Sequence, residues 1–324
     1  MDDAAPRRLL TAEHGDGVRV AVIIPCHNEA VAIPNVVADF QAALPFATIY
    51  VYDNNSTDGT IGAARAAGAV VRRETLQGKG HVVRRMFADV EADFYVLVDG
   101  DGTYDAAAAP DMLRQMRQEG LDMVIGTRVT SIEAAYRPGH RFGNRVLTAM
   151  VCGIFGNRVT DMLSGYRVFS RRFVKSFPAL ATGFETETEF TVHALDLGMA
   201  IGEVRVAYRD RQPGSSSKLR TYADGLRILR MIVILVKEER PLQFFSVCGI
   251  ALLLLGIGVG MPVVLFFLKT GLVPRLPTAV LSTGLVLLSF LSFAAGLILD
   301  SVAHGRKEIR RLAYLAQPGN VDNG

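Results

Sequence analysis

The sequence predicts an α/β domain, a mostly parallel sheet with helices on both faces, followed by a hairpin of two transmembrane helices. Short β-branched runs alternate with amphipathic stretches of helical length from Val20 to Ile125, the pattern of repeated strand–helix–strand units. Polar motifs follow those runs directly, at the carboxyl ends of strands where open parallel sheets collect their ligands. Further along, 27 consecutive residues from Leu242 to Leu268 and another 24 from Leu276 to Leu299 carry no charge. A membrane span needs about 20 residues, so each run is long enough to cross.

Taken in order, residues 1–17 carry no clear element, and residues 18–220 form the α/β domain. Strands are predicted at Val20–Ile24, Ile49–Tyr52, Ala69–Val71, Phe94–Val98 and Met123–Ile125, with helices between them. Two later segments, 141–155 and 222–237, combine apolar faces with arginines and could each pack on the core. The second leads into the first span, so 221–240 is expected to be an amphipathic helix with Arg227 and Arg230 near anionic headgroups. The spans occupy 241–304, joined by a loop containing Gly271, Pro274 and Pro277, and 305–324 form a basic tail.

Charge sets the expected orientation. Lys237 and Arg240 precede the hairpin and Arg306, Lys307, Arg310 and Arg311 follow it, against Lys269 and Arg275 in its loop. The positive-inside bias puts both ends in the cytoplasm. The amino terminus, MDDAAPRRLL, lacks the apolar run of a signal peptide, so the α/β domain is expected in the cytoplasm, on a multi-pass protein of the inner membrane. A formal net charge of +3 with no nucleic-acid module argues against nucleic acid as a partner. Cys26, Cys152 and Cys248 show no metal spacing and the six histidines are scattered, which argues against zinc. A dinucleotide-binding domain is excluded by its first turn, where Pro25-Cys26-His27-Asn28-Glu29 holds no glycine to admit a pyrophosphate.

Three motifs carry chemistry. Asp99-Gly100-Asp101 follows the run Phe94–Val98, so both carboxylates stand at the mouth of the sheet. Hard oxygen ligands there suit Mg2+ or Mn2+ bridging to substrate phosphates, although DGDG also suits a plain turn. The stretch Asp53-Asn54-Asn55-Ser56-Thr57-Asp58-Gly59-Thr60 could hydrogen-bond a nucleoside or cap the next helix; Asp53 fits the first role and Asp58 the second. Gly78-Lys79-Gly80 offers backbone and a cation at a helix start, a fit for a donor phosphate or a flexible turn.

The ordered set VIIPCHNE, DNNSTDGT, GKG, DGDGTY, GTR, DMLSGYR, FETETE and YRDRQPGSSSKL resembles family-2 glycosyltransferases of the GT-A fold. Within them it is most similar to the subgroup making polyprenyl-phosphate sugars, which includes dolichyl-phosphate mannose synthases and bactoprenol glucosyl transferases. The resemblance spans Val20 to Leu219, and the hairpin after it matches the bacterial members. It implies that Pro25, Asn28, Glu29 and Asp53 border the nucleotide and that Asp99 and Asp101 hold the divalent ion. It further implies that Arg128 and Arg141 receive the acceptor phosphate. Arg211 and Lys218 resemble a basic loop closing over both phosphates, and Glu187 matches the acidic position of FETETE, flanked by Glu185 and Glu189. Those three glutamates would share one face of a strand; on a helix, Glu185 and Glu189 alone would. One departure is Thr103, where many relatives have the glutamine of DADLQ, and it leaves donor identity open.

Together these readings lead to inverting, metal-dependent transfer of one sugar from a nucleotide-diphosphate sugar to polyprenyl (undecaprenyl) phosphate. A UDP sugar is slightly preferred to a GDP sugar, and homo-oligomerisation is compatible with the sequence. A processive polysaccharide synthase would carry a tryptophan-containing acceptor motif, and this chain has no tryptophan. Two rivals stay open: an inactive membrane-anchored scaffold that binds nucleotide sugars, and a transferase with another membrane acceptor. Because the acceptor phosphate is largely dianionic near neutral pH, no indispensable general base is expected. Charge compensation by Arg128, Arg211 and Lys218 is expected in its place.

Overall fold

The computed structural model describes residues 17–129, 159–183, 185–209, 230, 233–234 and 236–319. The chain divides into two compact units, Met1–Leu229 together with Arg310–Gly324, and Arg230–Ile309.

The first unit is built on a seven-stranded sheet in the order β3-β2-β1-β4-β6-β5-β7. Its strands are β1 (Val20–Cys26), β2 (Thr48–Asp53), β3 (Val70–Arg73), β4 (Phe94–Leu97), β5 (Met123–Val129), β6 (Arg167–Ser170) and β7 (Ile201–Ala207). All five expected strands are present. The sheet is parallel except at β6, which runs antiparallel to both β4 and β5. Neither β6 nor β7 was anticipated. β6 has four residues and passes directly into a helix whose N-cap is Ser170, so it offers no alternating pattern to read.

Register aligns the strand ends. Cys26 pairs with Asp53, and Ile23 with Leu97, so the turns after β1, β2 and β4 open along one edge. Both faces of the sheet are covered, as parallel strands require. On one face Val22, Ile24 and Val96 pack under α1 (Ile33–Ala43) and α4 (Ala109–Gln118). On the other, Ile23, Tyr95 and Leu97 pack against α3 (Lys79–Asp89), α5 (Arg171–Ser176) and α6 (Thr186–Leu197). Helix α2 (Thr60–Ala66) joins β2 to β3. A phenylalanine cluster fixes α6: the Phe190 ring lies 4.8 Å from Phe169 and 4.9 Å from Phe177.

The glycines flanking Lys79 have a packing reason. A Cβ on Gly78 would stand 2.1 Å from Thr182 O, and one on Gly80 2.1 Å from Ala181 O. Gly80 N–H donates to Thr182 O at 3.2 Å, so the start of α3 abuts the segment leading into α6. Residues beyond Ile309 also belong to this unit. Tyr314 donates its hydroxyl to Asp122 Oδ2 at 2.8 Å, beneath the Arg172 guanidinium 4.9 Å from the ring centre. The expected basic tail is therefore partly ordered structure.

The second unit contains α7 (Pro241–Thr270) and most of α8 (Leu276–Leu315), both long and apolar enough to cross a membrane. They meet through small residues: Gly249, Gly256 and Gly260 on α7 are buried, as are Ser289 and Gly296 on α8. Ser282 and Ser292 donate across to Gly256 O and Phe245 O at 3.0 and 2.9 Å. Leucines such as Leu254, Leu268 and Leu297 stay exposed. α8 continues past the expected boundary at 304. The segments 141–155 and 222–229 lie outside the described residues.

Gly80→Ala should lower stability by about 1–3 kcal/mol, because the added methyl meets backbone that cannot rotate away. Gly62→Ala on α2 is the control: nothing lies within 4 Å of its Cβ position, and helix propensity favours alanine by about 0.5–1 kcal/mol. Thermal unfolding of the detergent-solubilised protein compares the two; equal melting temperatures would refute the close-packing account.

Candidate active site

Two turns at the sheet edge are stitched together. Asn28, with φ of 53°, receives Thr57 N–H on Oδ1 at 2.8 Å, and its own N–H goes to Ser56 Oγ at 2.9 Å. Glu29 N–H donates to Thr60 Oγ1 at 2.9 Å and Ala30 N–H to Asp58 Oδ2 at 3.2 Å. Asp58 also accepts Thr60 N–H at 3.0 Å, which holds the start of α2 from one residue before the N-cap Gly59. Pro25 lies in β1, paired with Tyr52. Asp53 is fully buried; Oδ2 accepts Ser56 N–H at 3.2 Å while Oδ1 has no hydrogen-bond partner. A buried carboxylate oxygen without a donor costs free energy unless a ligand supplies one. Asn54 is structural: its amide donates to Glu74 O and Leu76 O and accepts Gly78 N–H at 2.7 Å.

Beyond β4, Asp101 is buried and Oδ1 accepts both Thr103 N–H at 3.1 Å and Thr103 Oγ1–H at 2.7 Å. A Cβ on Gly100 would stand 2.5 Å from Cys26 Sγ, and one on Gly165 2.3 Å from Asp99 Oδ2, so either would displace that side chain. Lys79, at the first position of α3, donates to Asp99 Oδ1 and to Glu187 Oε1. Burial alone would lower the Lys79 pKa, but the two carboxylates raise it above its ordinary value, so the ammonium stays charged. Glu187 Oε2 is buried without a partner.

The three glutamates lie at the start of a helix, and they diverge. Glu189 accepts Leu180 N–H and Ala181 N–H, each at 2.8 Å, and Glu185 accepts Gly183 N–H at 3.1 Å. Those two organise the segment that abuts Gly78 and Gly80. Glu187 alone turns to Lys79.

Arg128, near the end of β5, forms a two-pronged pair with Asp161, Nε to Oδ2 at 2.8 Å and Nη2 to Oδ1 at 2.7 Å. Arg167 is fully buried and bonds Ser164 O, Met162 O and Thr191 Oγ1, tying the 161–166 turn to α6. Burial pushes its pKa down to about 10, still charged at neutral pH. Asp161 and Arg167 belong to the motif DMLSGYR but are not among the site residues expected from sequence. The signal was there: two opposite charges inside an otherwise apolar and small-residue stretch. Arg141, Arg211 and Lys218 lie outside the described residues.

The donor set fits a hard divalent ion in part from the protein and in part from substrate. Asp99 and Asp101 offer carboxylate oxygens at one strand end, and no cluster of three or more His, Cys, Asp or Glu side chains suited to a metal occurs among the described residues. Mg2+ and Mn2+ commonly complete such pairs with phosphate oxygens and water.

The model of the family described as glycosyl transferase family 2 matches residues 21–177. Glycosyltransferase AglJ of Haloferax volcanii is 35% identical over 75% of this chain and 80% of its own. An undecaprenyl-phosphate mannosyltransferase of Micrococcus luteus is 27% identical over 61% of this chain and 87% of its own. Among solved structures, glucosyl-3-phosphoglycerate synthase from Mycobacterium tuberculosis, in complex with Mn2+, UDP-glucose and phosphoglyceric acid, superposes with a TM-score of 0.57. It covers 72% of this chain and 84% of that one at 21% identity, a likeness of fold.

Lys79→Met should destabilise the protein by about 3–5 kcal/mol, because Asp99 and Glu187 would then face each other with no cation. Glu187→Gln should cost less, and the double variant should fall short of the sum by about 0.5–3 kcal/mol. Chemical denaturation of the four proteins measures this; strict additivity would show that the pair is not coupled.

Proposed function

The chain belongs to glycosyl transferase family 2, and from that premise we propose that it transfers a single sugar from a nucleotide-diphosphate sugar to a polyprenyl phosphate, with inversion. The observation that carries this reading is the joint presence of a strand-end carboxylate pair, Asp99 and Asp101, and two membrane-length helices in one chain. The similarity to an undecaprenyl-phosphate mannosyltransferase supports a lipid phosphate acceptor. The preference for a UDP sugar is supported only by the family-level likeness, and the sugar itself is to be found by assay.

In this reading Asp53 Oδ1 accepts a hydrogen bond from the nucleoside, which supplies the donor that the buried oxygen lacks. Pro25, Asn28 and Glu29 form the wall beside it, held by the hydrogen bonds to Ser56, Thr57 and Thr60. Asp99 and Asp101 would hold Mg2+ or Mn2+, which would neutralise charge developing on the departing diphosphate. Lys79 keeps Asp99 and Glu187 in place and is assigned no direct phosphate contact. Arg128, oriented by Asp161, faces the acceptor phosphate, with Arg141, Arg211 and Lys218 proposed to add charge there. The acceptor is largely dianionic near neutral pH, its second pKa being about 6. It needs positioning and charge compensation more than proton abstraction.

Asp101→Ala should lower transfer by at least about 100-fold while the protein remains folded, and EDTA should do the same to the wild type. The assay is transfer from labelled UDP and GDP sugars to undecaprenyl phosphate; full turnover in excess EDTA would remove the metal from the proposal. Glu187→Gln should retain measurable transfer, and complete loss with normal donor and acceptor binding would point to a carboxylate base.

Placement in the cytoplasmic membrane, with the α/β unit in the cytoplasm, makes a separate prediction. In a background without native cysteines, Leu272→Cys should react with an impermeant maleimide in intact cells and Asn320→Cys should not. Labelling of residue 320 would reverse the proposed orientation.

A further inference from the structure

The loop that follows β4 has its two carboxylates oriented by different routes. Asp101 is fixed from within the loop, by Thr103 N–H and Thr103 Oγ1–H on Oδ1. Asp99 is fixed from outside it. Lys79 donates to Oδ1, and Gly165 lies against the rest of the group. A Cβ built on Gly165 would stand 2.3 Å from Oδ2, 2.9 Å from Cγ and 3.2 Å from Oδ1. All three of the nearest atoms belong to Asp99, so the space that a side chain at 165 would need is the space its carboxylate fills.

Gly165 is itself held in place. Its N–H donates to Tyr104 Oη at 2.9 Å, a buried bond. On either side of it, Ser164 Oγ donates to Gly126 O at 2.6 Å and Tyr166 O accepts Gly126 N–H at 2.9 Å, so β5 grips both neighbours. Arg167 adds a bond from Nε to Ser164 O at 3.0 Å. Tyr104 is equally constrained: it is buried, it forms an isolated antiparallel bridge with Tyr208, and Arg209 N–H donates to Thr103 O at 2.8 Å beside that bridge. Its ring centre lies 5.4 Å from that of Tyr166 and 5.2 Å from that of Tyr208, which fixes where its hydroxyl points.

We infer that Tyr104 is a positioning residue for Asp99: its hydroxyl holds Gly165 against the carboxylate and so sets the direction in which Asp99 presents its oxygens to the divalent ion. The inference rests on the functional reading above, in which Asp99 and Asp101 hold that ion. The terminal torsion of an aspartate is broad, and a carboxylate set between an ammonium and a fixed backbone loses that freedom before the ion binds. Partners that orient a ligating carboxylate matter to metal affinity although they never touch the metal. Consecutive residues thus serve the two ligands, Thr103 orienting Asp101 and Tyr104, through Gly165, orienting Asp99.

Two variants test the couple and a third controls for loosened packing. Gly165→Ala sets a methyl on the Asp99 carboxylate, whereas Tyr104→Phe keeps the ring and removes only the acceptor of Gly165 N–H. Gly202→Ala on β7 is the control, because its Cβ would stand 2.5 Å from Leu121 Cδ1, a clash with a core leucine. Full-length protein in lipid nanodiscs is titrated with Mn2+ in the presence of UDP and, separately, of GDP. Free ion is read by electron paramagnetic resonance, and thermal unfolding is followed in parallel. Gly165→Ala should weaken Mn2+ binding by about 10- to 100-fold, the usual cost of disturbing a group that orients a metal ligand. Tyr104→Phe should weaken it by about 2- to 12-fold, the worth of one hydrogen bond. Gly202→Ala should lower the melting temperature and leave Mn2+ affinity within about twofold.

Unchanged Mn2+ binding in Tyr104→Phe or in folded Gly165→Ala, or an equal loss in Gly202→Ala, overturns the inference. If Gly165→Ala does not fold, Tyr104→Phe decides. Wild-type protein that binds Mn2+ with a nucleotide but transfers nothing to undecaprenyl phosphate would sink the functional reading, and the Mn2+ titrations would still decide the role of Tyr104. Wild-type protein that binds no Mn2+ with either nucleotide would overturn the metal assignment and this inference together.

Discussion

The ion cluster of Lys79, Asp99 and Glu187 is the interaction on which the rest of the site depends. Taking an ammonium and two carboxylates out of water costs several kcal/mol per ion, and it is offset only where geometry is tight and further hydrogen bonds are made. Three elements must meet for that to happen. Asp99 follows β4, Lys79 opens α3, and Glu187 lies in the first turn of α6. The glycines beside Lys79 bring α3 against the segment before α6, and the phenylalanines around Phe190 hold α6 to the sheet. Glu185 and Glu189 serve the same end, because their carboxylates take the amides of that segment. The backbone is shaped around one buried cation.

Rigidity is distributed unevenly across the site. The turns after β1 and β2 are cross-linked by hydrogen bonds from Asn28, Glu29 and Ala30 to Ser56, Thr60 and Asp58. Asn54 extends that network to the segment leading into α3. Such a wall is organised before any ligand arrives, which limits the entropy lost on binding. On the other side, Arg128 is held by Asp161, and the turn carrying Asp161 is held by the buried Arg167. That guanidinium bonds neutral groups and stacks on Phe190, 5.6 Å from the ring centre, so its charge is solvated by the fold itself.

Much of this was legible in the sequence, and the exceptions have physical causes. Strands β1 to β5 announced themselves through β-branched runs, whereas the parallel β7 did not, and register then had to bring the motif turns to one edge. β6 was hidden because four residues between a turn and a helix leave no periodicity. Lys79 was legible as a cation near phosphates, yet its reach to Glu187, more than a hundred residues on, depends on tertiary packing that spacing does not encode. Asp161 carried a fainter signal as a charge in an apolar and small-residue stretch, but its pairing with Arg128 depends on tertiary packing in the same way. Gly78 and Gly80 read as a fit for a phosphate or as a flexible turn, and their lack of a Cβ proves necessary for backbone contact with residues 181 and 182. Arg141, Arg211 and Lys218 remain sequence-based assignments.

Charge balance joins these local facts to the proposed chemistry. Asp99, Asp101 and Glu187 bring three negative charges against the single positive charge of Lys79, an excess of two at the place where a diphosphate would have to lie. A second anion, the acceptor phosphate, would then have to approach the same region. Like charges a few ångströms apart with restricted water repel by several kcal/mol, so this set of carboxylates alone would reject both substrates. One divalent ion on Asp99 and Asp101 would cancel that excess locally, and only then could the diphosphate act as a ligand. Arg128 cannot do that work by itself, because Asp161 already matches its charge. Its contribution is geometric as much as electrostatic: a guanidinium clamped by a carboxylate and stacked on Tyr208 is held in a fixed orientation. The acceptor side therefore needs further positive charge, which Arg211 and Lys218 are proposed to supply.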